Sequence, residues 1–315
     1  MSKYRTALPQ LNGELFLTDG GIETTLIFHD GFDLPYFAAF DLLKNDGGRE
    51  GLRNYYKPYA KLAREHGVGF VLESATWRAS PDWAEQLGYT AAALDDANRK
   101  AIELLQEIRE ENETEQTKMV ISGCIGPRGD GYSPDELMTE VEAELYHAVQ
   151  IGTFANTAAD MITAITMTHA EEAIGIARAA KTVGLPVVIS FTVETDGRLP
   201  TGQTLQDAIE QTDAATGNTP AYYMINCAHT THFEAALAAG EAWAGRIRGL
   251  RANASRMSHA ELDEAEELDD GNPEEFGHDH GELRSAFSHI NVFGGCCGTD
   301  LRHVENVVKT VVAHH

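Results

Sequence analysis

A chain of 315 residues with 43% hydrophobic content can bury a large core, as one big domain or two small ones, and is neither disordered nor fibrous. Its formal net charge of -25 opposes association with nucleic acid or anionic lipid and favours solubility. Four cysteines do not make a disulfide framework, no basic, apolar leader precedes Leu15, and no apolar run approaches a membrane span, so the expected setting is a reducing cytoplasm.

Short apolar segments alternate with helical patterns along the chain. Glu14 to Thr18 is the first strand and runs into Asp19, Gly20 and Gly21, a turn signal. Gly51 to His66 carries Leu52, Tyr55, Tyr56, Tyr59, Leu62 and Ala63 at helical spacing, and Gly67 ends it. Val68 to Leu72 is the second strand, leading into Glu73, Ser74, Ala75 and Thr76. A helical region follows from Asp82 through Arg109, broken near Gly88. Met119 to Ser122 is the third strand, closed by the turn Gly123, Cys124, Ile125, Gly126, Pro127. Ser133 followed by Pro134, Asp135 and Glu136 reads as the start of a helix that continues to Asn156.

Met161 to Ile165 is the fourth strand and Ala170 to Val183 its helix; Pro186 to Phe191 is the fifth, followed by a helix over Thr204 to Thr216. Ala221 to Asn226 is the sixth, with a helix over Thr231 to Ala244. Ile247 to Leu250 and Ile290 to Phe293 are the seventh and eighth, and Asp300 to Val312 closes the pattern as an amphipathic helix. Eight short apolar strands, most followed by a helix, predict an α/β fold, a (β/α)8 TIM barrel whose chemistry sits at the carboxyl ends of the strands. Those ends read Asp19, Glu73 to Thr76, Cys124, Thr166, Thr192, Cys227, Asn253, and Cys296 with Cys297.

Gly294, Gly295, Cys296, Cys297, Gly298 and Thr299 form the most informative stretch. Zinc takes thiolates at about 2.3 Å, and flanking glycines let the backbone aim both sulfurs at one point. A third ligand is best sought at Cys227, which closes the sixth strand, two positions around the barrel from the eighth. Taken alone, Cys227 also fits a buried packing residue, since a free cysteine behaves as a small hydrophobe. A bridge between Cys296 and Cys297 is disfavoured by strain. Cys124 lies three strands from either neighbour and reads as a packing or loop residue. Residues 257–282 are acidic, with Gly271, Pro273 and Gly277 among them, and read as a solvated loop or as a lid over the metal; His278 and His280 in that loop read as exposed.

Together, Asp19-Gly-Gly, Gly123-Cys-Ile-Gly-Pro127, Ile225-Asn-Cys227 and Gly294-Gly-Cys-Cys-Gly-Thr299 resemble the homocysteine S-methyltransferase family, which includes betaine-homocysteine methyltransferase and the homocysteine-binding module of methionine synthase. The resemblance covers essentially the whole chain, as a single barrel domain over 1–315. It implies a Zn2+ cofactor held by Cys227, Cys296 and Cys297, with a small-molecule thiol, homocysteine, as methyl acceptor and methionine as product. It also implies that Asp19 helps to hold the acceptor's ammonium group, although a carboxylate in that place equally ties down a Gly-Gly turn. Asn226 orients the neighbouring ligand or satisfies backbone, and Thr76 joins the substrate-binding set.

Where the family commonly has a Glu-Thr pair ending the fourth strand, this chain has Ile165 and Thr166, and an apolar side chain cannot pair with an ammonium ion. Glu73, Glu194 or a carboxylate of the acidic segment are the substitutes, or the acceptor is a different thiol. Trp77 either faces a cationic donor or packs. No length remains for a corrinoid or folate module, so the expected methyl donor is a small onium compound: S-methylmethionine, S-adenosylmethionine or a betaine. A non-catalytic zinc-binding barrel is the alternative outside enzymology, and a homo-oligomer is compatible with the sequence.

Overall fold

Strands buried on both faces need apolar residues throughout rather than at alternate positions, and the short runs above have that character. The computed structural model describes residues 2–132, 137–237, 242–265 and 267–314. Among them, eight parallel strands pair in sequence order and close on themselves, with β1 between β2 and β8. The strands are β1 Phe16–Leu17, β2 Gly69–Glu73, β3 Met119–Ile125, β4 Met161–Met167, β5 Val187–Phe191, β6 Tyr222–Asn226, β7 Ile247–Ala252 and β8 Val292–Gly295. This is the expected (β/α)8 barrel.

Two apolar clusters hold it. Phe16, Val71, Val120, Met161, Val188, Tyr222, Met224 and Val292, taken from seven of the strands, fill the barrel interior with Leu8 beneath them. A larger cluster lies between the outer strand faces and the helices. The helices are α1 Ile22–Thr24, α2 Asp46–His66, α3 Pro81–Gln86, α4 Ala91–Asn112, α5 Glu140–Ala155, α6 Ala170–Val183, α7 Leu205–Thr216, α8 Thr230–Leu237, α9 His259–Asp263, α10 Pro273–Ala286 and α11 Leu301–Ala313. In α11 the spacing of Val304, Val307, Val308 and Val311 puts all four side chains in the core, each worth roughly 1.5 kcal/mol or more of transfer energy.

Several boundaries differ from the sequence expectation, each for a local reason. β3, β4, β7 and β8 run two or three residues farther at their carboxyl ends: Gly123, Cys124 and Gly295, which look like turn residues, continue the ladder, while Thr166 falls in an irregularity of β4 before pairing resumes at Met167. α2 starts five residues before Gly51, because Asn45 caps it by accepting the Gly48 N–H at 2.9 Å. α5 starts at Glu140, where Thr139 and Glu142 cap each other's backbone; the start expected at Ser133 to Glu136 lies outside the described residues. α8 is described over Thr230–Leu237, residues 238–241 of the expected helix lie outside the described residues, and Ala242–Arg246 is a short 3-10 turn.

The largest correction concerns residues 257–282. Pro273–Ala286 is a helix, capped by Asn272 and packed on α11 through buried Phe276, His280 and Leu283. The acidic residues occupy its outer side, which hides the apolar spacing in the sequence. His278 is exposed as expected, but His280 is fully buried between Phe276 and Phe293, its Nδ1 2.7 Å from the Phe276 carbonyl.

Candidate active site

The turns after β6 and β8 place the sulfurs. Cys227 leaves β6 in the left-handed region, φ 53°, with its N–H donated to the Arg251 carbonyl at 3.1 Å. Cys296 N–H donates to the Ala252 carbonyl at 2.8 Å, and Thr299 Oγ1 donates to the Cys296 carbonyl at 2.7 Å. Gly294 and Gly295 allow β8 to pass close against the first turn: a Cβ on Gly294 would run into Thr18 Oγ1, and Gly295 N–H reaches the Asp19 carbonyl at 3.0 Å. As a result the Sγ atoms of Cys227, Cys296 and Cys297 all lie within 4.8 Å of one another. Cys227 is buried, Cys297 opens to the mouth and Cys296 is intermediate.

Cys227 and Cys296 are in disulfide contact, with Cα atoms 5.5 Å apart, and Cys297 is free. Cys227 Sγ and Cys297 Sγ are 3.7 Å apart, close to the ~3.8 Å edge of a tetrahedron with ~2.3 Å metal–sulfur bonds. The donor set therefore fits zinc once the contact between Cys227 and Cys296 is reduced. Cys124 is buried in β3 and stands outside the triplet, in line with its reading as a packing residue.

Two further side chains, Tyr132 and His259, enclose the sulfurs on one side. Tyr132, on the loop after β3, brings its hydroxyl to 3.4 Å from Cys227 Sγ and 3.6 Å from Cys297 Sγ. His259, from α9, packs its ring 4.6 Å from that of Tyr132. The two imidazole nitrogens meet the Cys227 carbonyl at 2.5 Å and Glu194 Oε1 at 3.0 Å. The amino-terminal part of the acidic segment thus reaches the site, and Glu194, one of the substitutes considered for an ammonium-binding carboxylate, is held by His259.

Below the sulfurs lies a charged floor. Asp19, 2% exposed, meets Arg251 Nη1 at 2.7 Å and accepts from the Tyr55 hydroxyl at 2.8 Å. Arg251 also donates to the Gly295 and Gly20 carbonyls at 3.2 Å each. Burial works against the arginine's charge, but Asp19 and Glu73 outweigh it and hold its pKa above the ordinary value. Glu73 is itself buried, and loss of solvent pushes its carboxyl up to about 7 despite Arg251.

Asn226 is a clamp. Its Oδ1 accepts from Thr166 N–H at 2.9 Å and from Ser190 Oγ at 2.6 Å, and its Nδ2 donates to Thr166 Oγ1 at 2.9 Å and lies 3.9 Å from Cys296 Sγ. Thr166 sits at φ 67°, a costly conformation for a β-branched residue, and two hydrogen bonds from one amide hold it there. Thr76 is fully buried, its hydroxyl donated to the Cys124 carbonyl at 2.7 Å. Trp77 packs: its indole donates to the Ile165 carbonyl at 3.3 Å, and the Arg78 guanidinium lies between the Trp77 and Trp83 rings at 4.0 and 3.8 Å.

The homocysteine S-methyltransferase family model matches residues 16–311. The chain belongs to that family. As a homocysteine S-methyltransferase family member it is an enzyme of thiol methylation, and the cysteines just described fall within the matched region. Its fold is that of the homocysteine methyltransferase MmuM from Escherichia coli. The oxidised form of MmuM aligns with a TM-score of 0.75 at 19% identity, over 97% of this chain and 99% of that one. The metallated form aligns with a TM-score of 0.74 at 16% identity, over 99% and 100%. No curated protein matches the chain in sequence.

The sequence reading of this methyltransferase missed Arg251, Tyr132 and His259. Arg251 carried a signal, a charged residue following the apolar run at Leu250. The other two come from the loop after β3 and from α9, and their contacts span distances in sequence that no local pattern encodes.

Proposed function

We propose that the chain is a zinc-dependent S-methyltransferase that moves a methyl group from a small onium donor, S-methylmethionine, S-adenosylmethionine or a betaine, to the thiol of homocysteine, forming methionine. The observation that carries this reading is the cluster of Cys227, Cys296 and Cys297 sulfurs at the mouth of a barrel that belongs to this family. Those three side chains would hold the zinc, with residues 1–315 working as one unit. When bound there, zinc supplies the positive charge that keeps an acceptor thiol deprotonated at neutral pH.

The protein's own part is positioning. Asn226 and the β8 glycines hold the ligand turns, and Tyr132 and His259 wall the sulfurs from one side. Without a cation, the surrounding protein and the nearby Glu23 charge push the Cys297 thiol up, with Tyr132 partly opposing. Methyl transfer is a displacement in which an electron pair on the acceptor sulfur forms the new C–S bond. The donor's onium bond breaks, its electrons stay with the donor, and the onium centre becomes neutral. No acid or base is required of the mouth. Three thiolates require the Cys227–Cys296 contact to be reduced, which supports work in a reducing compartment such as the cytoplasm.

The test is zinc content of reduced protein with and without Cys296→Ser, alongside methyl transfer from S-methylmethionine to homocysteine. Near-stoichiometric zinc, lost in the variant together with turnover, is expected. Absence of zinc from reduced, zinc-replete protein would overturn the mechanism. A second reading, the same transfer to another thiol, is favoured by Ile165, an apolar residue near the end of β4 whose carbonyl accepts from the Trp77 indole. Turnover with another thiol and none with homocysteine would select it.

A further inference from the structure

The ammonium group of an amino-acid acceptor needs a counter-charge at the mouth, and most carboxylates there are already engaged. Asp19 is held by Arg251 and Tyr55, and Glu194 by His259. Glu73 is enclosed in the barrel below, beside Arg251. Ile165, two residues before the end of β4, offers no charge. Glu23 differs from all of these. Among the described residues, no side chain makes an ion pair or hydrogen bond with its carboxylate, whose hydrogen bonding is confined to its own backbone amide.

The place of Glu23 is set by its neighbours. Gly21 N–H donates to Thr299 Oγ1 at 3.1 Å, and Thr24 Oγ1 accepts the Gly298 N–H at 3.0 Å. A Cβ added at Gly21 would stand 2.5 Å from the Cys296 carbonyl oxygen. The turn α1 is therefore fastened on both sides of residue 23 to the loop that carries Cys296 and Cys297. The charge of Glu23 acts on Cys297, on Tyr132 over the sulfurs, on Arg78 between its two indoles, and on Cys124 and Tyr56. Those groups come from α2, from β3 and from the loops after β2, β3 and β8, so the charge of Glu23 is felt on the mouth side of the barrel.

We propose that Glu23 receives the ammonium group of the acceptor, making the substrate class a thiol that bears a free amino group. This rests on the methyltransferase function proposed above. Glu23 is partly buried, and loss of solvent, foremost, pushes its carboxyl up to about 7, opposed by its own backbone amide and by Arg251 and Arg78 at longer range. A carboxylate kept out of water without a cation is costly, and a docking ammonium offsets that cost while satisfying its own need for a partner. Residue 23 is then the specificity-determining position that stands in for the charge absent from β4.

The experiment uses reduced, zinc-loaded wild-type, Glu23→Gln and Glu23→Asp proteins. Calorimetric binding and KM are measured for L-homocysteine and for 4-mercaptobutanoate, which has the same chain without the amino group; donor KM is measured in parallel, and zinc content checks the fold. Wild-type protein should prefer homocysteine. Glu23→Gln should weaken homocysteine by about 10- to 100-fold, leave 4-mercaptobutanoate and donor KM nearly unchanged, and keep its zinc, while Glu23→Asp should retain the preference. Equal binding of the two thiols by wild-type protein overturns the proposal whatever the variants do. So does a loss shared by both thiols in Glu23→Gln, or an effect confined to donor KM. Absence of binding of either thiol to zinc-loaded wild type overturns the methyltransferase function itself, and this proposal with it.

Discussion

At the scale of the residue, the mouth depends on ionisable groups held out of water, and Glu73 gives the clearest consequence. Its ordinary value of 4.5 is raised to about 7 in the fold. Between those values the folded chain keeps a proton that the unfolded chain has released, so this group lowers stability as pH rises through that window and adds no further change above it. Glu73→Gln removes the effect. Urea unfolding of both proteins at pH 5 and pH 8 should show the variant gaining about 1–3 kcal/mol on the wild type across the interval. A gap that does not change with pH would mean that Glu73 is ionised throughout. Single residues were also where the sequence was most and least legible. The three cysteines announced themselves because two share a glycine-rich turn and the third closes a strand. Arg251 and Asp19 did not announce their pairing, because 2.7 Å in the fold joins side chains from β7 and from the turn after β1. The expectation for Asp19, an ammonium ligand or a carboxylate tying down the Gly-Gly turn, did not include Arg251, the cation that the fold brings to it.

At the scale of the element, close approach explains what composition could not. Gly123, Gly294 and Gly295 read as turn residues, yet they continue β3 and β8, because a strand can pass tightly against a neighbour only where no Cβ intervenes. Gly294→Ala forces a methyl group onto Thr18 Oγ1 and the backbone of Asp19. The expected cost is about 1–3 kcal/mol in denaturant unfolding, with reduced zinc retention because Cys296 and Cys297 follow directly; unchanged stability would show that β1 and β8 can separate freely. α10 was obscured in the opposite way. Phe276, His280 and Leu283 keep helical spacing, but the acidic residues around them gave the segment the composition of a loop. α6, by contrast, was read with both its ends correct, from its apolar periodicity and the αL glycine at position 184.

At the scale of the whole molecule, the excess of acidic side chains, 49 against 24 lysines and arginines, makes the fold repel itself. Surface pairs such as Arg53 with Glu107 and Glu111 offset little of that, since exposed pairs contribute modestly. Raising NaCl from low concentration to about 1 M should therefore raise Tm by roughly 2–4 °C, equivalent to about 1 kcal/mol. A fall in Tm would mean that the local pairs outweigh the global repulsion. The barrel itself was legible because every strand is buried on both sides and most are followed by an amphipathic helix, a combination that few architectures satisfy.

The seam between β1 and β8 also orders events in time. The sulfurs of Cys296 and Cys297 ride on the final strand, and they are steadied by the turn that follows the first. During synthesis from the amino end, the Asp19-Gly-Gly turn waits without its counterpart until β8 has emerged and docked. Assembly of the three-cysteine cluster thus becomes the last act of maturation, and a chain interrupted anywhere before β8 lacks two of its three sulfurs.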